Sequence, residues 1–254
     1  MLYRLLFICC LLAAGVCLIS SPAASRPVAE LATLEWPPYS GSYLDRQGYA
    51  SEVVRQAFAA SGMDTRLHFF PWERAIRSMK HYGYSGYTPE YYSETRRDCL
   101  FSAPFPAGPL FLFQLRGRNL HYTSLDDLRG LRIGTVSGYV NTDAFDSAEF
   151  LLKDPAVDDV SNLRKLLAGR VDVIVGDALT LRFLLTRELG LPAGTIEPLE
   201  PPLDNKSLHV CFNPQHPAAG DYISAFNRGL EQMRHNGTLK ALHSRLYDAY
   251  MPGM

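Results

Sequence analysis

Tyr91-Tyr92-Ser93-Glu94-Thr95-Arg96, followed two residues later by Cys99-Leu100-Phe101-Ser102-Ala103-Pro104-Phe105, is the stretch whose reading decides the fold. It sets two phenols, a serine and a guanidinium just ahead of a short apolar run. Arg96 stays charged in any protein and offers a planar fork of donors suited to a carboxylate or phosphate. Cys99–Phe101 reads as a buried strand, with Ala103-Pro104 as its stop. A charged hydrogen-bonding cluster at the end of a buried strand is a common way to hold a small polar ligand. The same residues also suit a surface loop whose arginines are simply solvated, so the flanking chain has to decide.

Working outward on the N-terminal side, Val28–Leu34 reads as a strand that runs into Glu35-Trp36-Pro37-Pro38-Tyr39-Ser40. The two prolines stop the strand and hold the loop extended, pointing Trp36 and Tyr39 away from the sheet edge. Ser51 is placed to cap a helix through Ala60, with Gly62 past its end. Thr65–Phe70 alternates as a second strand, and Pro71-Trp72-Glu73-Arg74 opens a short helix in which the proline forfeits only an orphan donor. His81–Pro89 is rich in glycine and tyrosine.

On the C-terminal side, Leu110–Leu115 reads as a strand and Ser124-Leu125-Asp126-Asp127 as a helix start with Gly130 as its stop. Leu131–Val136 is a strand leading through Ser137-Gly138-Tyr139 to a helix carrying Phe145, Ala148, Leu151 and Leu152. Val157–Val160 reads as a short strand and Ser161–Ala168 as a helix. Gly169–Asp177 is a strand with Asp172 in its middle and Asp177 at its carboxyl end, followed by a helix over Ala178–Leu189. Leu208–Phe212 is a strand, and two amphipathic helices finish the chain. Strands alternating with helices argue an α/β protein with mostly parallel sheets. The runs Leu110–Leu115 and Leu208–Phe212 are placed to carry the chain between two lobes with a cleft between them.

With 254 residues, 47% of them apolar and 20% charged, the chain has enough material for one large domain or two lobes. A formal charge of −1 and the lack of a basic stripe give no footprint for nucleic acid. Residues 1–25 have the layout of a cleavable secretory signal peptide: Arg4, the apolar run Leu5–Ile19, then small residues at Ser21–Ser25. That run is shorter than the roughly 20 residues a membrane span needs. Cys17 follows Ala14-Gly15-Val16, and valine where a lipobox has a small residue favours simple cleavage over lipidation. Cys9, Cys10 and Cys17 fall in this leader, leaving Cys99 and Cys211. An exported chain permits a bridge between them, although buried inert thiols are the commoner outcome for cysteines in apolar runs. The seven histidines are scattered without ligand spacing, and there is no nucleophile elbow, Walker loop or dinucleotide glycine fingerprint. No metal and no cofactor are expected.

Taken in order, several motifs resemble the polar amino-acid branch, family 3, of the type 2 periplasmic solute-binding proteins. Trp36-Pro37-Pro38-Tyr39 is similar to the loop after that family's first strand, and Pro71-Trp72-Glu73-Arg74-Ala75 to its tryptophan-led helix. Ser93-Glu94-Thr95-Arg96 resembles its Thr/Ser-x-x-Arg ligand motif, and Phe101-Ser102-Ala103-Pro104-Phe105 its Phe-Ser-x-Pro-Tyr run. Ser124–Gly134 resembles the segment that begins the second lobe, and Leu167–Asp177 the strand that ends in an acid. The chain departs from the pattern at Gly48-Tyr49-Ala50-Ser51-Glu52 and in the aromatic segment Tyr82–Tyr92, as a divergent member would.

The resemblance implies the periplasmic-binding-protein type II fold with a two-strand hinge. Residues 26–113 and 207–254 would form one lobe and residues 114–206 the other. It implies Arg96 as the clamp on a ligand carboxylate and Asp177 as the receptor of its ammonium. Ser93 and backbone donors near Gly138 would share the carboxylate, and Trp36, Tyr39, Trp72, Tyr92 and Tyr139 would wall the cleft. The implied activity is capture of a small zwitterion by a monomer, for an ABC permease or a membrane sensor. The alternative is an enzyme of the cyclohexadienyl-dehydratase type on the same fold, with Glu35, Glu73 and Asp177 as its candidate acids or bases.

Overall fold

The structure, a computed structural model, describes residues 26–250 apart from Tyr82; the leader expectation for residues 1–25 lies outside the described residues. In chain order the elements are β1 (Val28–Thr33), α1 (Tyr49–Ala60), β2 (Asp64–Phe69), α2 (Trp72–His81), β3 (Gly86–Tyr91), β4 (Leu100–Phe101) and β5 (Phe105–Leu115). They continue with β6 (Arg132–Val136), α3 (Asp143–Ser147), β7 (Leu152–Ala156), α4 (Asp159–Leu167), β8 (Val173–Asp177), α5 (Ala178–Phe183), β9 (Ile196–Phe212), α6 (Ala219–His235) and α7 (Thr238–Tyr250). The strands form one sheet in the order β2-β1-β3-β9-β5-β8-β6-β7, with β4 also beside β9.

The parallel pairs expected from the βα pattern lie on the outside of this sheet, β1 with β2 and β3 on one side and β6 with β7 and β8 on the other. The centre is antiparallel: β3 pairs β9, β9 pairs β5, and β5 pairs β8. The long strands β5 and β9 therefore connect both halves. Their pairing shifts register between Pro106 and Pro109 and again between Leu110 and Leu112. The prolines there have no N–H to give to a ladder, which is why the strand bends where they sit.

One end of the fold packs α1 against α6 over Phe58, Phe212 and Phe226, all fully buried. The helices touch at Gly229, where a Cβ would lie 1.7 Å from the Ala57 carbonyl oxygen. Only glycine lets the two backbones meet so closely. The other end buries Ile133, Leu163, Leu166 and Ile174 between the sheet and α4.

Local signals were followed with specific exceptions. Gly48, at φ +93°, and not Ser51 precedes α1, and Ser51 lies buried inside the helix. The expected buried strand at Cys99–Phe101 is the two-residue edge strand β4, with Leu100 well exposed. The helix expected to reach Leu152 stops at Ser147, because Leu152–Ala156 forms β7, an edge strand with Lys153, Asp154 and Pro155 at its centre. Val157 is exposed and Val160 lies in α4, so no strand forms at 157–160. Asp172 sits before β8, where its carboxylate takes Arg132 at 3.0 Å and Arg118 at 3.1 Å. β3 was not apparent in the sequence because Gly86-Tyr87-Thr88-Pro89-Glu90-Tyr91 has no alternation, being buried on both faces.

Cys99 and Cys211 form a disulfide with Cα atoms 5.2 Å apart, in place of the free thiols given as the commoner outcome. The bridge closes a loop of 112 residues and ties the segment after Arg96 to β9. Reduction with dithiothreitol is expected to cost about 2–4 kcal/mol of stability, read as a fall in melting temperature. An unchanged melt with both thiols reduced would contradict a structural role for the bridge.

Candidate functional site

The turn after β6 supplies the focal acceptor. Gly138 takes φ +78°, a conformation that a side chain disfavours, and so aims its carbonyl at the first half of the chain. That oxygen accepts from Trp72 Nε1 at 3.0 Å and from Arg96 NH2 at 2.5 Å. Trp72 reaches it from the first turn of α2, and Arg96 from the turn that begins at Ser93. Ser93 adds a third contact between the same two segments, with its Oγ 2.9 Å from Asp143 Oδ1 at the start of α3.

Arg96 has a second partner. Its Nε donates to Glu90 Oε2 at 2.9 Å, and Glu90, on β3, is only 3% exposed. The same carboxylate accepts from the Tyr87 hydroxyl at 3.1 Å and the Tyr91 amide at 3.0 Å. Burial raises the Glu90 carboxyl to about 7, against the opposing pull of Arg96.

Asp177 is buried behind the cleft wall. At the junction of β8 and α5 it caps the helix by accepting from the amides of Leu179 and Thr180. It also accepts from the hydroxyls of Tyr39 at 2.9 Å and Tyr91 at 3.4 Å. Gly108 of β5 lies against this group: its amide donates to the Tyr39 hydroxyl, and a Cβ there would meet that oxygen at 2.7 Å and the Asp177 carboxylate at 2.8 Å. Burial lifts Asp177 to about 6. Asp159, the first residue of α4, accepts from the Tyr139 hydroxyl at 3.2 Å, and burial lifts it to about 7. Burial also pushes the phenols of Tyr39, Tyr91 and Tyr139 well up, so they stay neutral donors.

These side chains enclose a cavity of about 30 Å³, lined by Trp36, Trp72, Glu90, Tyr91 and Tyr139 together with Leu34, Pro89, Val140 and Leu208. The rings stand steeply to one another: Trp36 with Tyr139 at 83°, Trp36 with Tyr91 at 82°, Trp72 with Tyr139 at 89°. A groove of about 530 Å³ shares Leu34, Trp72 and Tyr139 with the cavity and continues past Phe70, Val157, Glu35 and Asp158.

The residues expected at the site thus separate into three groups. Trp36, Trp72 and Tyr139 line the cavity; Arg96, Ser93 and Gly138 close it through mutual bonds; Tyr39 and Asp177 lie behind the wall. Tyr92 is elsewhere, its ring 54% exposed and resting on Phe101 and His209, because it follows inward-facing Tyr91 at the end of β3. Sequence reasoning missed Glu90, Tyr91 and Asp159. Glu90 and Tyr91 sit in the strand that was not recognised, and Asp159 falls in a segment read as a strand. Glu35 holds the Ser42 amide and Glu73 is paired with Arg77 on the outside of α2. Among the described residues no group of three or more His, Cys, Asp or Glu is placed to hold a metal ion.

The raised carboxyls set a pH dependence. For Glu90, Asp159 and Asp177 the folded value, about 6 to 7, exceeds the unfolded value near 4, so the folded state holds more protons in between. Their stabilisation is full below about pH 4 and is lost as pH rises through about 7. Asp172, held down to about 2 by Arg132, acts in the opposite sense but only below that window. Urea unfolding should therefore show stability falling by a few kcal/mol between pH 4 and 8, with a shallower slope in Asp159→Asn. A flat or rising profile would contradict the burial of these acids. Arg96→Ala should be most destabilising at pH 8, by about 3–5 kcal/mol, where Glu90 is left charged and alone.

No family model matches the sequence, and no curated protein matches it. The fold does match solved structures. The GluR0 ligand-binding core from Nostoc punctiforme, in complex with L-glutamate, aligns with a TM-score of 0.70 at 21% identity over 88% of this chain and 99% of that one. An ancestral arginine-binding protein bound to arginine aligns with a TM-score of 0.72 at 14% identity, over 89% and 99%. A histidine kinase sensor domain with similarity to periplasmic binding proteins aligns with a TM-score of 0.72 at 18% identity, over 87% and 96%. The chain has the two-lobed fold of the periplasmic binding proteins.

Proposed function

We propose that this chain is an exported solute-binding protein that captures a small ammonium-bearing solute, an amino acid or a related compound, between its lobes. It delivers the solute to an ABC-type permease or reports it to a membrane sensor. The observation that carries this reading is the convergence of Trp72 and Arg96 on the single Gly138 carbonyl, above a cavity walled by aromatic rings from both halves of the chain. Closure over a ligand needs such complementary contacts, few in number and confined to the cleft, together with a connection that bends.

The lobes of the reading are residues 26–113 with 207–254, and residues 114–206. The hinge is the β5–β9 pair at its register shifts around Pro106–Pro109 and Leu110–Leu112. Arg96 and Ser93 belong to the closing surface of the first lobe, Gly138 and Tyr139 to that of the second, and Asp177 fixes the positions of Tyr39 and Tyr91. Tyr92 has no part in the cavity. The reading is of a binder and not of an enzyme. Support for the ligand class comes from the neighbours of like fold described with L-glutamate and with arginine, and support for sensing from the kinase sensor domain. Export agrees with a disulfide between the two cysteines beyond the leader, and no helix among the described residues is long and apolar enough to cross a membrane.

Both tryptophans of the chain line the cavity, so intrinsic fluorescence reports on the cleft alone. Protein unfolded and refolded to strip bound solute should change fluorescence on titration with the correct amino acid or amine. Its melting temperature should rise with the same compound, by about 2.7 kcal/mol of stabilisation at a hundredfold excess over Kd. Silence in both signals across amino acids and amines would refute the reading.

A further inference from the structure

We propose that the cleft selects an organic ammonium ion that carries no carboxylate, and that Glu90 is the specificity-determining residue because it holds the one guanidinium otherwise fit to receive that carboxylate. The inference rests on the solute-binding reading of the same cleft and narrows its ligand class.

Several donors around the cleft already have partners inside the protein. Arg96 gives its Nε to Glu90 and its NH2 to the Gly138 carbonyl. Trp72 donates to the same carbonyl, Tyr139 donates to Asp159, and Tyr39 and Tyr91 donate to Asp177. Arg96 is not among the residues that line the cavity, so an anion placed there would face the Glu90 carboxylate with no cation in the lining, which is costly.

A cation meets the opposite situation. The cavity holds one carboxylate, Glu90, whose three bonds leave room for another donor among its roughly four acceptor positions. Around it, Trp36, Trp72, Tyr91 and Tyr139 meet at steep angles, so a group set among them touches ring faces as well as edges. Ring faces attract ammonium groups, and boxes of such rings are a general receptor for them. The chain shows this attraction at the outer side of the same wall, where the Lys206 ammonium lies 5.6 Å from the Tyr91 ring centroid while paired with Asp204.

The size of the cavity, about 30 Å³, suits a single ammonium head. The adjoining groove offers Phe70, Val157, Trp72 and Tyr139 to an aliphatic stem, and Glu35 and Asp158 to a second positive charge at its far end. The ligand class is thus an alkyl amine or diamine, the decarboxylated counterpart of a basic amino acid.

The test compares ligands that share a stem and differ in the carboxylate: cadaverine against lysine, and agmatine against arginine, titrated into stripped protein at pH 7.5 by tryptophan fluorescence and calorimetry. The amine should bind at least tenfold more tightly in each pair. Equal or tighter binding of the amino acids overturns the inference and leaves the solute-binding reading standing. Binding of none of the four, with silence across the wider amine and amino-acid panel, overturns both. Glu90→Gln frees Arg96 and should reverse the preference, lowering amine affinity tenfold or more while raising that of the amino acid. A folded variant with unchanged preference would also overturn the assignment of Glu90. If this variant does not fold, the wild-type ligand pairs decide alone.

Discussion

One carbonyl oxygen, that of Gly138, gathers two of the bonds that fasten the two halves of the molecule. It can accept two donors, and it takes both from the opposite half: an indole N–H and a guanidinium N–H. Neither donor would reach it without supports of its own. Trp72 is held by the first turn of α2, Arg96 by Glu90, and the carbonyl by a backbone turn that only glycine adopts at low cost. The rings of Trp72, Tyr91 and Tyr139 fill in around this point, each with its polar end fixed to a buried carboxylate or to the carbonyl itself. Aromatic side chains suit this work because they bring area and rigidity while needing only one partner for their polar tip.

Burial of three acids so near one another has a physical cost that the site bears openly. Glu90, Asp159 and Asp177 are each satisfied by hydroxyl, amide or guanidinium donors, yet only Glu90 has a cation within bonding distance. Hydrogen bonds alone do not restore the solvation a carboxylate loses in an apolar interior. The result is a cleft whose buried carboxyls hold their protons to higher pH than exposed ones, behind the walls as well as along them. Zwitterion capture through a free guanidinium, which the Ser93–Arg96 motif suggests when read alone, presupposes an arginine turned toward the ligand, and here its Nε is turned to a carboxylate six positions earlier.

Much of the architecture could be read from the chain because its strands and helices announce themselves locally. Val28–Thr33, Arg132–Val136 and Val173–Asp177 are short apolar runs bounded by turn residues, and the final helices carry regular apolar faces. What escaped was decided by tertiary context. β3 contains glycine, proline and glutamate and forms because neighbours cover both of its faces. β7 is an edge strand centred on Lys153, Asp154 and Pro155, residues that a propensity argument places outside strands. The site was legible in the same partial way: Trp36, Trp72 and Tyr139 stand out as aromatics at loop and helix junctions. Glu90 and Asp159 do not, since a buried carboxylate looks like any other until its surroundings are known.

The cystine between Cys99 and Cys211 lies three residues beyond Arg96 and pins that loop to β9. The loop is also held by β3 on one side and by the pairing of β4 with β9 on the other, so the cystine reinforces an anchor that backbone pairing already supplies. With both thiols reduced, the segment that carries Arg96 would keep those strand pairings and lose only the covalent tie beside them. Oxidation therefore tightens the scaffold and the approach to Arg96 in a single step, since one bond borders both.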